Sequence, residues 1–207
     1  MGSSRAGVIC SLRAGVVAIC LSALGLAGGC QTAAVATAAK LAEHRQQVDE
    51  VGLVSEISVE ALKASIAPPS KWVALKVQKT LLYTHQQWRS PSRKTAVGVT
   101  YAHMPFAMST KTLAWFARNE ARKQSIDGQL IREWTDSLGR EWFEAETDKY
   151  HILGYIMTSG CDAWVNYCGY RTTESRAPAE MELGRRAMDT VVPLSVANQI
   201  KATAMAR

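Results

Sequence analysis

No phosphate-cradling glycine loop, nucleophile elbow, His-Glu-x-x-His helix or paired Cys-x-x-Cys occurs in these 207 residues. Each absence removes a class of chemistry that needs those residue types at fixed spacing. The four histidines, at 44, 85, 103 and 151, never fall within one helical turn of one another. A metal site would therefore have to be assembled from separate strands, and no metal or other cofactor is expected. Long Lys/Arg runs are missing too, so the formal net charge of +6 does not point to nucleic acid. Phenylalanine is scarce, at three, but six Trp and six Tyr all lie beyond position 70 and supply material for a core.

The N-terminus is the best-defined region. Arg5 and Arg13 precede an apolar stretch from Ala14 to Ala27 that carries no charge. That layout is a secretory signal, and the stretch is shorter than the roughly 20 residues a spanning helix needs. It ends in Leu26-Ala27-Gly28-Gly29-Cys30, which resembles the lipobox of bacterial lipoproteins. In that family the small residues precede a cysteine that receives a diacylglyceryl group and becomes the first residue after cleavage. Cys10 and Cys20 do not fit, because branched Ile9 and Ile19 precede them. The alternative is an ordinary signal peptide with an incidental cysteine. Removing residues 1–29 leaves 178 residues with 22 basic and 18 acidic side chains, a net +4. That length suits one domain with a real core. Gln31 occupies the position where Asp marks inner-membrane retention in such lipoproteins, so the resemblance favours the periplasmic side of the outer membrane.

Gln31 to Lys40 is Ala- and Thr-rich and reads as a spacer, and Leu41 to Val54 reads as a weakly patterned helical stretch. Within residues 30–66, Ser58 to Ile66 reads as a short helix stopped by Pro68-Pro69. A domain is expected from about Ala67 to Pro193, with 194–207 as a tail. Strands are expected at Trp72–Thr80, Leu81–Trp88 and Thr95–His103, where β-branched and aromatic residues concentrate. Ser109 caps a helix over 110–124 carrying Leu113, Phe116 and Ala117 at helical spacing. Strands at 129–135, 140–147, 150–158 and 163–171, joined by short turns, read as an antiparallel meander. A last helix covers about 179–190. Both strand parities are apolar, so the sheet must be covered on both faces. The fold class is thus α+β, a single mostly antiparallel sheet of six to seven strands in the order βββ-α-ββββ-α.

That order, with Pro69 to Trp72 before the first strand, Gly139-Arg-Glu-Trp-Phe-Glu-Ala145 in a middle strand and Met188-Asp-Thr-Val-Val-Pro193 after the last helix, resembles the PsbP-like architecture, which includes the DcrB-type lipoproteins. The resemblance implies a lipid-anchored cell-envelope protein acting as a non-catalytic binding or assembly factor, with an envelope protein as partner. The alternatives are a small-ligand or metal-binding lipoprotein and an envelope hydrolase.

Few residues stand out as candidate sites. Trp88, Arg89, Arg93 and Lys94 frame a turn that, with Arg118, reads as a basic, aromatic-edged patch for an anionic glycan, lipid headgroup or acidic protein surface, or else as a hydrated hairpin tip, and Trp88, Trp134, Trp142 and Trp164 read as core residues before they read as a ligand platform. Glu144 and Glu146 share a strand face and read either as a carboxylate pair or as partners of Arg132, Arg140 or Lys149. His85 reads as an amphipathic strand residue and His103 as a strand end. Cys161 and Cys168 form a possible disulfide, yet about 16 Å of strand separates them if the first sits at a turn. No residue is expected to be catalytic.

Overall fold

The computed structural model describes residues 32–115, 128–147, 150–171 and 178–205. Cys30 and the lipobox, Phe116, Ala117 and Arg118, and Lys149 lie outside the described residues. The chain is α+β, and every strand pairing is antiparallel.

The Ala-rich stretch expected to be a spacer is helix α1, Thr32–Gln47. Alanine is the best helix former, and Leu41 is buried against Val192, Val196 and Ala197. Residues 58–66 are not a helix. Strand β1 (Ile57–Val59) leads through a 3₁₀ turn at Glu60–Leu62 into β2 (Ala64–Ile66). Lys63, at φ 46°, reverses the chain between them, so that Ile57 lies opposite Ile66. All three residues of β2 are buried. The expected boundary at Ala67 therefore falls directly after a buried strand of the same folded unit.

The main sheet has eight strands, more than the six or seven expected. Along its edge run β3 (Val73–Ala74) and β4 (Gln78–Lys79), both paired with β5 (Thr84–Arg89). Next comes β6 (Thr95–His103), and residues 110–115 then form the start of helix α2. The meander follows as β7 (Gly128–Thr135), β8 (Glu141–Thr147), β9 (Tyr150–Ser159) and β10 (Asp162–Arg171). Its last strand inserts between β6 and β9, which gives the order β3-β5-β6-β10-β9-β8-β7. Helix α3 (Pro178–Asp189), strand β11 (Val192–Pro193) and helix α4 (Leu194–Met205) complete the chain. Residues 194–205 are thus no tail, because Val196 and Ala197 are buried beneath α1.

Both sheet faces are covered. On one, Trp88, Val99, Tyr155, Trp164 and Cys168 pack under α3 and the β1–β2 unit, with Leu62 and Met188 among their neighbours. On the other, Leu113 and Ala114 of α2 pack on Ile156, Ala163 and Val165. Glycines let rings lie flat on this second face. A Cβ at Gly98 would meet the Tyr167 ring at 2.4 Å.

One charged cluster ties the elements together. Arg140 is buried, and its Nε donates to Asp136 at 2.6 Å while a terminal nitrogen donates to Asp189 of α3 at 3.2 Å. Its guanidinium lies over the rings of Trp142 and Tyr155 at 5.0 and 4.5 Å. Arg185 also reaches Asp189, at 3.1 Å. Burial pushes the Asp136 carboxyl up, but hydrogen bonds from Trp142 and Arg140 outweigh it and hold the group below the ordinary range. For Asp189 burial prevails over Arg140 and Arg185, and the carboxyl sits above that range.

Two substitutions test this packing. At Gly154 an added Cβ would sit 2.5 Å from the Phe143 ring and 2.7 Å from the backbone oxygen of Asn166. Gly154→Ala is expected to lower unfolding free energy by about 1–3 kcal/mol, read from urea midpoints. Leu41→Ala is expected to cost about 2–3 kcal/mol. An unchanged midpoint in the second would mean that α1 is not docked.

Candidate binding surface

The irregular edge strand from Val73 to Lys79 runs along β5 in two short pieces. Val73 and Ala74 face Arg89 and Trp88, and Gln78 and Lys79 face His85 and Thr84. Between them Leu75 still donates its N–H to Gln87, at 2.8 Å. Two residues lie between His85 and Trp88, against three between Ala74 and Gln78, so the edge carries one extra residue and bulges. Lys71, Lys76 and Lys79 are exposed along it. Lysines on an edge strand discourage pairing with another chain.

The edge ends in an ordered turn. The hydroxyl of Thr80 accepts the N–H groups of Leu82 and Tyr83 at 3.2 and 3.1 Å. The Thr80 N–H donates to the Tyr83 carbonyl at 2.9 Å. This fixed loop leaves the Leu81 side chain 98% exposed. Val73, at the other end of the edge, is 61% exposed.

The β5–β6 hairpin was the surface expected from sequence, and the structure alters it. Trp88 is 2% exposed and belongs to the core, so it forms no rim to a patch. Its neighbours alternate by strand parity, and only Arg89 of the pair lies half out. Arg93 is exposed at φ 61° in the turn, closed by its N–H donating to the Ser90 carbonyl at 2.9 Å. The Lys94 N–H donates to the Ser92 hydroxyl at 3.1 Å. That hydroxyl donates in turn to Glu180 of α3 at 2.7 Å, pinning the tip.

Edge and hairpin share a signal in the sequence that motif reading passes over. From Ala61 to Asn119 there are nine Lys and Arg and not one Asp or Glu. Neither the edge lysines nor Arg89 and Arg93 make an ion pair among the described residues.

Elsewhere the titratable side chains mostly satisfy one another. One oxygen of Asp162 accepts from the Tyr101 hydroxyl at 2.7 Å, lies 2.8 Å from His103 Nδ1 and takes Lys63 Nζ at 3.4 Å. Burial pushes this carboxyl up, but the His103 and Tyr101 hydrogen bonds with the Lys63 charge hold it below the ordinary range. The His103–Asp162 contact has the form of a catalytic pair, yet no hydroxyl or thiol bonds to His103 among the described residues. Glu144 accepts from Arg132 at 2.7 Å and contacts His151 at 3.0 Å. Arg140 serves Asp136 and Asp189 rather than the glutamates of its strand. His85 is buried and lies 2.9 Å from the Thr100 hydroxyl.

The possible disulfide is absent, since Cys161 and Cys168 are both free. Ser159 pairs with Asp162, which leaves Cys161 at the turn and Cys168 well along β10. Burial pushes the Cys168 thiol up to about 12. A depression of about 570 Å³ lies beside Arg45, Asp49, Glu50, Glu56 and Ile200. Arg45 pairs there with Glu50 at 2.6 Å and Glu56 at 3.3 Å. Among the described residues no group of three or more His, Cys, Asp or Glu is placed to hold a metal. No described helix is long and apolar enough to cross a membrane.

No family model and no curated protein matches the chain. A crystal structure of a protein from Bacteroides thetaiotaomicron VPI-5482 aligns with it at 12% identity and a TM-score of 0.36, over 68% of this chain and 48% of that one. The chain spans about half the length of that protein.

The Asp162 cluster carries a pH signature. Its folded carboxyl is depressed, so its contribution is present above the unfolded value of about 4 and is lost as pH falls through the folded one. Asp162→Asn is expected to flatten the acid limb of stability against pH and leave the slope at neutral pH unchanged. An identical acid limb in the variant would show that Asp162 does not bind its proton more weakly in the fold.

Proposed function

We propose that the protein is a lipid-anchored, non-catalytic binding factor of the bacterial cell envelope. Cys30 is its acylated residue, and the β3–β4 edge with the Arg89–Lys94 hairpin is its working surface. The observation that carries this reading is the set of edge lysines, Lys71, Lys76 and Lys79, which make no ion pair among the described residues and come from a stretch without a single acid. Exposed cations of this kind draw in anionic partners and speed their encounter. The sequence from Leu26 to Cys30 supports the anchor, and the outer membrane is the favoured location. The PsbP-like assignment belongs to the same proposal. It draws support from the order of strand regions, helix, four strands and helix between Val73 and Asp189.

Two measurements test the parts separately. Cys30→Ser is expected to abolish labelling by a fatty-acid precursor and move the protein from the membrane to the soluble fraction. Unchanged labelling and retention would remove the anchor. For the surface, the chain from Gln31 onward is expected to bind a sulfated-dextran column and elute earlier as salt rises. The triple variant Lys71→Gln, Arg89→Gln, Arg93→Gln is expected to elute at markedly lower salt with an unchanged melting temperature. Equal elution would take Lys71 and the hairpin arginines out of the binding surface.

A further inference from the structure

We infer that the β3–β4 edge docks on an anionic lipid bilayer, with Leu81 inserted at the headgroup–acyl boundary and Lys76 and Lys79 among the headgroup phosphates. This deepens the reading of the edge as a binding surface and rests on it. Three features select a bilayer over an acidic protein.

The first is shape. Leu81 stands 98% exposed at the tip of a turn that the Thr80 hydroxyl holds in place. A protruding aliphatic side chain finds no cover on a flat polar surface, but it dissolves readily into a lipid interface. Leu82 beside it is also exposed.

The second is composition. Lysine is depleted at protein–protein interfaces, where aromatic residues and Arg carry the energy. Here the large exposed residues are lysines and aliphatics, Lys71, Val73, Lys76, Lys79, Leu81 and Leu82, with the small Ala74 and Thr80 between them. That pairing is the one interfacial membrane binding uses, apolar groups buried shallowly and lysines attracted to anionic headgroups. The long Lys stems lie along apolar surface while their ammonium groups reach phosphate.

The third is reach. Helix α1 starts at Thr32 and is docked by Leu41, so nine residues of helix, about 14 Å, separate its start from its docked position. An acylated Cys30 two residues earlier would keep the domain close to the membrane instead of on a long flexible leash. A weak surface contact then acts at high effective concentration.

The test uses the chain from Gln31 onward, which contains every described residue and carries no acyl group. It is mixed with vesicles of phosphatidylcholine alone, or with phosphatidylglycerol added, and sedimented. Binding is expected only with phosphatidylglycerol and is expected to fall with salt. The double variant Lys76→Gln, Lys79→Gln is expected to weaken it by roughly 25-fold, the product of about fivefold for each lysine. Leu81→Ser is expected to weaken it by at least about tenfold with no change in melting temperature, because the side chain touches little in the fold. No binding to either vesicle would overturn the inference. Unaltered binding by Leu81→Ser with loss in the lysine variant would overturn insertion while leaving the cationic edge as an anion-binding surface. Unaltered binding by both variants would overturn the edge itself. Stronger retention on polyglutamate beads than on vesicles, indifferent to Leu81→Ser, would assign the edge to an acidic protein and likewise overturn the lipid docking.

Discussion

Strand β10 has a hydrogen-bonded neighbour along nearly its whole length on both sides: Asp162 to Tyr170 opposite His103 to Thr95, and Asp162 to Arg171 opposite Ser159 to Tyr150. Within the main sheet it joins β7–β9 to the N-terminal strands β3–β6. Trp164 and Cys168 on one of its faces and Ala163 and Val165 on the other anchor the two core clusters. Long-range antiparallel pairing of this kind is costly to assemble, since the loop between β6 and β10 must close before any contact forms. Once made, it fixes which edge is left over. The N-terminal group can present only β3 and β4, and that is where the lysines lie.

The meander was legible because its strands alternate and its turns are short, so that residues 129–171 carried their own punctuation. The segments around it were not. Ser58 to Ile66 offers Val59, Leu62 and Ile66 at a spacing that suits a helix as well as two strands, and only the buried pairing with β11 decides between them. Helix α4 hides for a different reason. Among its described side chains only Val196 and Ala197 are deeply buried, set among polar and small residues, so its apolar stripe is too thin to see, and Pro193 before it reads as a stop. The part of α1 up to Lys40 reads as a spacer because an Ala/Thr composition shows no face until a partner helix selects one.

The surface was half legible. Arg89, Arg93 and Lys94 announce a basic turn, and the core reading of the tryptophan beside them holds, since strand parity turns Trp88 inward. The edge lysines at 71, 76 and 79 are too widely spaced to register as a run. They become a stripe only when β3 and β4 both pair with β5, and among the described residues they make no ion pair, because the described acids lie elsewhere. Glu144 meets Arg132 and His151 across the meander, and Asp136 and Asp189 surround Arg140. The fold has therefore sorted its charge, with mutual neutralisation at the meander end and an excess of one sign at the other.

The thiol of Cys168 has a consequence for how such a chain matures. It is fully buried between β10 and α3, its sulfur 3.8 Å from the Met181 carbonyl, and its acidity is suppressed to about 12. Thiol–disulfide exchange proceeds through the thiolate and needs an attacking sulfur to approach. The closed sheet denies both. An unfolded chain offers Cys161 and Cys168 to any oxidant it meets, whereas a folded one withholds the second altogether. Folding and oxidation thus compete for the same residue, and β10 must find its place between β6 and β9 first. Speed of sheet closure, rather than a covalent clasp, is what guards this protein against being trapped with the wrong bond.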